Sequence, residues 1–533
     1  MKNLKNFVSN LLLFLLAPAL FLGMAEWGTR TFYSRRLNTY FDDQTQLVLG
    51  KPAAPKAPGE YRIFIFGSSA AYGFPVADRY SIAAWLRKSF PALTPGRKVM
   101  VINAAWPGKS SHQAALGART VLKYHPDLFI IDCGNNEAVI DNRLYVDSPV
   151  YRLGLTLEYE SAFYRLLTLR LNKLRKYILY HGHSGHAEKQ YRNEVIANLV
   201  YKKTDVSLED YRHILGFYEK NMQRVIRTAR ANKIDVLFLT LPGNIRDIPP
   251  GRSLHHQPIS GDTLTRWNEF YEKGQALQKK GDCRAALDTY RRAEALEPTY
   301  AELQYQMGIC YEKTGDYTAA KQAYRNAKDD DANPWRSKTE LNETLRRLAA
   351  QNGLMLLDTE RLFEKLSSHG IISSELIYDN VHPTVQAQQV ISDAILKLLW
   401  ENDRVEPKVK WQWEAFESGR VTSEEWKVDG SLNAYHDVLK GLHLWEQKRY
   451  PEAAEDLEKA TKTMPGFLES YAFLADAYFR MGKTQKAFDS YEILSRKDPR
   501  LLEFLAQKYP DIGESRGKSA ATPMAAAAQS LQK

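Results

Sequence analysis

Tyr61-Arg62-Ile63-Phe64-Ile65-Phe66-Gly67-Ser68-Ser69 decides the fold of the larger part of this 533-residue chain. The run is almost entirely apolar, it halts at a glycine, and two serines follow at once. A strand wetted on one face alternates apolar and polar residues, whereas a nearly continuous apolar run marks a strand covered on both faces, as in a parallel sheet. Four more such runs follow: Val99 to Ile102, Leu128 to Ile131, Val236 to Leu239 and Leu354 to Leu357. Helical patterns such as Ala83 to Phe90 and Ala114 to Tyr124 lie between them. Alternating strand and helix predicts an α/β fold, a three-layer parallel sheet with right-handed crossovers.

The spacing breaks between the fourth and fifth runs, where about 115 residues stand in place of a crossover of about 30. An internal repeat fills the gap. With Trp267 as the first position of a 34-residue unit, Gly274, Leu277, Gly281, Ala286, Tyr290, Ala293 and Pro298 recur one period later as Gly308, Tyr311, Gly315, Ala320, Tyr324 and Ala327, the proline excepted. A second pair of units starts at Ala434 and Leu468. Small residues at fixed slots of paired helices are the tetratricopeptide pattern. Concave helical arrays of this kind usually bind peptides or proteins, so a protein partner is expected.

Ligands of open α/β sheets bind at the carboxyl ends of the strands. The first strand ends in Gly67-Ser68-Ser69, the second in Asn103-Ala-Ala-Trp-Pro107-Gly108, the third in Gly134-Asn135-Asn136-Glu137. After the fifth comes Asp379-Asn380-Val381-His382. Each alone is an ordinary turn sequence. A carboxylate three residues before a histidine, however, can hold the imidazole Nδ1–H and leave Nε2 to take a serine proton.

Taken together and in this order, Gly-x-Ser, Asn…Gly, Gly-x-Asn and Asp-x-x-His resemble the SGNH (GDSL-type) hydrolase family over residues 61–262 and 327 to about 400. The chain looks most similar to membrane-anchored members with tetratricopeptide repeats, through Leu241-Pro-Gly-Asn244-Ile-Arg-Asp247-Ile-Pro-Pro250 and Ala327-Lys-Asp-Asp-Asp331…Trp335-Arg336. The resemblance implies Ser69 as nucleophile, His382 as base and Asp379 as its orienting acid. It implies the Gly108 N–H, the Asn136 side chain and the Ser69 N–H as oxyanion donors. Ser68 and Glu137 depart from the family, which commonly has Asp at both places. The implied activity is that of an esterase or O-deacylase acting on acylated carbohydrate or lipid, with no cofactor and no metal. An O-acyltransferase using the same site and an inactive repeat scaffold are the competing expectations.

The remaining features set the context. Net charge is +10 and the pI about 9.1. That balance suits an anionic surface, and with no zinc-finger spacing or RNA-binding motif nucleic acid is not an expected partner. Lys2 and Lys5 precede an uncharged stretch, Asn6 to Ala25. Its length matches a hydrocarbon core of about 30 Å and reads as an uncleaved membrane anchor rather than a cleaved signal. The globular part is expected outside the cytoplasm, periplasmic or at the cell surface, partly because of the family resemblance. Cys133 reads as a small core residue, and a Cys283–Cys310 bridge is left open.

His181, His183 and His186 have the look of a metal tract, but a flexible Gly/Ser loop favours a solvated reading. Residues 161–180 read as a basic amphipathic helix, which suits a membrane surface, a lid or an ordinary outer-layer helix. Arg336 reads as an anion-binding group or a structural ion pair. The expected division is anchor 1–30, linker 31–60, hydrolase domain 61–262 and 335–400, inserted repeats 263–334, linker 401–433, C-terminal repeats 434–510 and disordered tail 511–533.

Overall fold

The computed structural model describes residues 22–29, 56–74, 77–138, 149–168, 170–171, 205–256, 259–414 and, apart from 439, 443, 446–447 and 510, residues 437–518. The strands are β1 (Tyr61–Gly67), β2 (Val99–Asn103), β3 (Leu128–Asp132), β4 (Asp235–Leu239) and β5 (Met355–Leu357). All pair in parallel, in the order β2-β1-β3-β4-β5. The central strands β1 and β3 are buried along their whole length, while the edge strands β2 and β5 are partly exposed.

Helices cover both faces. In chain order they are α1 (Ser69–Tyr72), α2 (Ile82–Leu93), α3 (Ser111–Thr120), α4 (Pro149–Glu160) and α5 (Leu208–Ala231). The repeats inserted between β4 and β5 supply α6 (Gly261–Lys279), α7 (Cys283–Leu296), α8 (Ala301–Thr314) and α9 (Tyr317–Asp329). Then come α10 (Thr339–Asn352), α11 (Thr359–Leu366) and α12 (Val385–Glu401). Successive side chains of a strand point to opposite faces. Accordingly Phe64, Phe66, Phe129 and Ile131 pack with α3, α5 and α10, while Ile63, Ile65, Leu128 and Ile130 pack with α2 and α12. The predicted three-layer sheet is the observed one.

The connection from β1 runs to β2, and the chain then crosses back over β1 to β3. This reversal opens a crevice between the carboxyl ends of β1 and β3, the place where such sheets bind ligands.

Residues 402–414, the expected start of a linker, lie against the α/β domain instead. Trp411 is buried, its ring 6.1 Å from that of Phe90, and the Gln412 N–H donates to the Leu93 carbonyl at 2.8 Å. The C-terminal repeats include α13 (Tyr450–Thr463), α14 (Glu469–Arg480), α15 (Thr484–Lys497) and α16 (Pro499–Lys508). Residues 511–518 are also helical and bury Ile512 and Ser515, so the expected disordered tail does not begin at 511. Leu505, Tyr509, Ile512 and Ser515 recur at helical spacing and give that segment a face to bury.

Most of the expected anchor, 6–21, and the His181–His186 tract fall outside the described residues. Among the described residues no helix is long and apolar enough to cross a membrane.

Candidate active site

Gly67 ends β1 where no other residue fits. A Cβ there would lie 2.4 Å from the Asp132 carbonyl oxygen and 2.5 Å from the Ala71 Cβ. The chain therefore turns tightly into α1 and sets Ser69, partly exposed, at its first position, with Ser68 buried behind it. The Ser68 N–H donates to the Asp132 carbonyl at 3.3 Å, tying the serine turn to the end of β3. Asn103 secures the turn from the other side, its Nδ2 donating to the Ala71 carbonyl at 3.3 Å and to Asp78 at 2.7 Å.

Residues 313 positions apart then meet. Ser69 Oγ and His382 Nε2 are 2.7 Å apart. His382 Nδ1 lies 2.5 Å from Asp379 Oδ2. The other carboxylate oxygen, Oδ1, accepts the backbone N–H groups of Val381 and His382 at 2.8 and 2.9 Å. Burial pushes the Asp379 carboxyl up. The charge of His382 and hydrogen bonds from its ring and from those backbone groups outweigh burial and hold the acid below the usual carboxylate range. The Phe74 ring rests 4.8 Å from the imidazole and limits its tilt.

The loop carrying Asp379 and His382 is closed by a Tyr378 N–H to His382 carbonyl bond and by an antiparallel bridge between Ile377 and Pro383. Asn244, fully buried, braces it. Its N–H donates to the Asn380 carbonyl at 3.1 Å and its Nδ2 to the Ile377 carbonyl at 3.3 Å. No local pattern marks Asn244 for this role, because its partner Ile377 lies 133 positions away.

The Gly108 loop is a turn with Pro107 and Gly108 at its centre. Lys109 N–H donates back to Trp106 at 3.3 Å and Gly108 has φ +76°, the pattern of a type II turn that needs glycine at its third place. Asn136 is buried and its Nδ2 donates to the Lys109 carbonyl at 3.0 Å, so the two expected oxyanion loops touch. Gly134 has φ +149°, and a Cβ there would strike Leu241 and Leu341 at 2.5 and 2.8 Å.

Glu137, one of the two departures, holds these loops together. It accepts the Ser111 N–H at 2.6 Å and the Ser111 hydroxyl at 2.8 Å, capping α3. Asn221 of α5 also donates to Ser111 Oγ, at 2.9 Å. Burial pushes Glu137 up to about 7 despite its bonds to Ser111, and burial alone pushes the neighbouring Asp132 up to about 7. Burial lowers Lys109, with Glu158 opposing it.

The two family-like segments flanking the insert are bolted to each other. Arg336 is buried, donates to the carbonyls of Asn244 and Ile248 at 2.8 and 2.6 Å, and pairs with Asp331 at 3.7 Å. Asp331 in turn accepts the N–H groups of Gly251 and Arg252. Arg336 is thus the structural ion pair, not an anion-binding group.

The repeat architecture is equally explicit. A Cβ on Gly274 would lie 2.3 Å from the Tyr290 ring, and one on Gly308 2.6 Å from the Tyr324 ring. The helices of each hairpin touch at the predicted small residue. A tetratricopeptide repeat family model matches residues 271–334 and 438–501. The chain carries tetratricopeptide repeats. No curated protein matches it.

Among solved structures it is similar to a GDSL-like lipase from Bacteroides thetaiotaomicron, at 12% identity over 69% of this chain and 99% of that one, with a TM-score of 0.30. It is also similar to a lipase/acylhydrolase from Enterococcus faecalis, at 11% identity over 64% and 95%, TM-score 0.28. A third is Axe2, an acetylxylan esterase from Geobacillus stearothermophilus, at 12% identity over 64% and 94%, TM-score 0.27.

The inserted tetratricopeptide pair packs on the chain's own 244–250 segment. The Tyr305 hydroxyl donates to the Arg246 carbonyl at 2.7 Å, the Arg246 Nε donates to Glu312 at 2.8 Å, and Ile245 packs with Tyr305 and Tyr324. Cys283 and Cys310 are buried and unbridged in the insert core, and burial together with the contact between them pushes the Cys310 thiol up to about 12. Among the described residues no group of His, Cys, Asp and Glu is arranged to hold a metal.

Proposed function

We propose that this chain is a serine-dependent ester hydrolase, anchored by its N-terminal apolar segment with the globular part outside the cytoplasm, acting on acylated carbohydrate or lipid. The observation that carries the reading is the Ser69–His382–Asp379 hydrogen-bond chain at the carboxyl end of β1. Serine is a weak nucleophile until a neighbouring base takes its proton. His382 Nε2 takes it as Ser69 Oγ bonds to the acyl carbon, and Asp379 stabilises the imidazolium that results. The tetrahedral oxyanion is received by the N–H groups of Gly108 and Ser69 and the Asn136 amide. His382 then hands its proton to the leaving alkoxide as the acyl–oxygen bond breaks. Water, activated by the same imidazole, frees the acid and restores Ser69.

The inserted repeats already pack on the chain's own Ile245 and Arg246, so in this reading the C-terminal pair holds the protein partner. Labelling with a fluorophosphonate probe tests the chemistry. The wild type should label and Ser69→Ala should not. Equal labelling of both would remove Ser69 from the mechanism, and no labelling of either would overturn the hydrolase reading.

A further inference from the structure

Eight of the eleven exposed large apolar side chains among the described residues lie in three stretches, 22–29, 149–160 and 162–171, and the other three are scattered. On α4, Val150, Leu153 and Leu157 form one stripe at helical spacing, with Val150 78% exposed. The opposite side of α4 buries Tyr159, and a Cβ on Gly154 would lie 3.1 Å from the hydroxyl of Tyr164 on the next helix. That helix exposes Leu167, and Leu171 is exposed just beyond it. A domain of this size rarely leaves so many large apolar groups in one region facing water unless something covers them.

The end of the N-terminal apolar segment is fastened to this same region. Glu26 accepts the Ser161 hydroxyl at 2.7 Å and the N–H groups of Ala162 and Phe163 at 2.8 and 2.9 Å. A carboxylate on the first N–H groups of a helix is a favourable cap. It fixes where the apolar run before it leaves the domain. Trp27, 65% exposed, stands beside it, a residue type enriched at the headgroup level of membranes. The sequence continues after Leu171 with Lys173, Arg175 and Lys176, charges that suit anionic lipid.

We propose that residues 149–171 are a bilayer-seating surface, their apolar side chains entering the headgroup region next to the point where the N-terminal segment leaves the domain. The surface adjoins the site. Glu158 of α4 lies 3.3 Å from His112, in the first turn of α3 and just past the Gly108 loop. From Glu158 to Val150 along the helix is only about 12 Å. The bilayer is thus the nearest source of acyl ester for Ser69, which narrows the substrate class to esters carried in or on a membrane. That last step rests on the hydrolase reading; the seating itself does not.

The test uses the full chain in vesicles of equal parts phosphatidylcholine and phosphatidylglycerol. The native cysteines are all buried, so Leu153→Cys takes an environment-sensitive NBD label selectively. Glu401→Cys, at the far end of α12, is the control. The label at 153 should shift to the blue and lose most of its emission to doxyl-lipid quenchers, while the label at 401 should respond to aqueous iodide alone. A chain that floats with the vesicles while its 153 label stays open to iodide overturns the seating and leaves the anchor standing. A chain that does not float overturns both. If seating holds, Val150→Glu with Leu153→Glu should slow hydrolysis of a vesicle-borne ester at least tenfold and leave a soluble short-chain ester unaffected. Equal loss on both substrates would overturn the membrane-borne substrate class.

Discussion

The Ser337 hydroxyl donates to Asn135 Oδ1 at 2.7 Å, joining the segment that leaves the inserted repeats to the loop that carries Asn136. Both residues are buried. The insert is therefore coupled to the Asn135–Asn136 loop, although 202 positions separate the partners. Ser337→Ala leaves a buried amide oxygen without that donor, at a cost of about 1–3 kcal/mol. Urea unfolding should show that loss, and kcat for a short acyl ester should fall by less than it does in Asn136→Ala.

In the proposed mechanism Asn136 is an oxyanion donor, which Asn136→Ala removes. Loss of one such donor costs on the order of 10²–10³ in kcat. Steady-state kinetics should show that fall with KM little changed. A change in KM alone would assign Asn136 to substrate binding.

Asp379→Asn keeps the volume but cannot accept Nδ1–H and stabilise the imidazolium in the same way. A drop in kcat of about 10⁴ is expected by analogy with other triads. A pre-steady-state measurement showing an intact acylation burst would sink the assignment.

Glu137 gives a pH prediction with a definite sign. Its carboxyl is raised from the usual 4.5 to about 7 in the folded protein, chiefly by burial. The folded state then binds the proton more tightly than the unfolded one, so this contribution to stability is fully present below the unfolded value and is lost as pH rises through about 7. Thermal unfolding should move to lower temperature from pH 5 to pH 8, with Asp132 contributing in the same direction. Glu137→Gln should flatten the slope. An unchanged slope in that variant would exclude Glu137 as its source.

Arg336→Ala strips Asp331 of its buried counter-charge and three carbonyls of a donor. Breaking one side of a buried pair costs about 3–5 kcal/mol. Hydrogen exchange should quicken in 244–252, and hydrolysis should fall as Asn244 loosens its hold on the His382 loop. Gly308→Val separates the two halves of the chain: overpacking against Tyr324 costs about 1–3 kcal/mol, and exchange should quicken in 301–329 first.

Strand and repeat were legible in the residues themselves because each carries a local period. Burial on both faces makes β1 and β3 nearly continuous apolar runs, and the 34-residue recurrence of small and large residues at fixed slots marks where paired helices touch, as at Gly274–Tyr290 and Gly308–Tyr324. Packing, not pattern, decides 402–414, which docks through Trp411, and 511–518, which buries Ile512.

The sequence by itself determined which residue types stand at the strand ends, since these follow directly from where each apolar run stops. Only the tertiary structure decided which of them meet. Ser69 needs His382 from 313 positions away, Arg336 needs Asn244 from 92 away, and Glu137 needs Ser111 from 26 away. Such pairings leave no period to read. They arise because parallel strands deliver their carboxyl ends to one edge, where buried polar groups must find one another or remain unsatisfied.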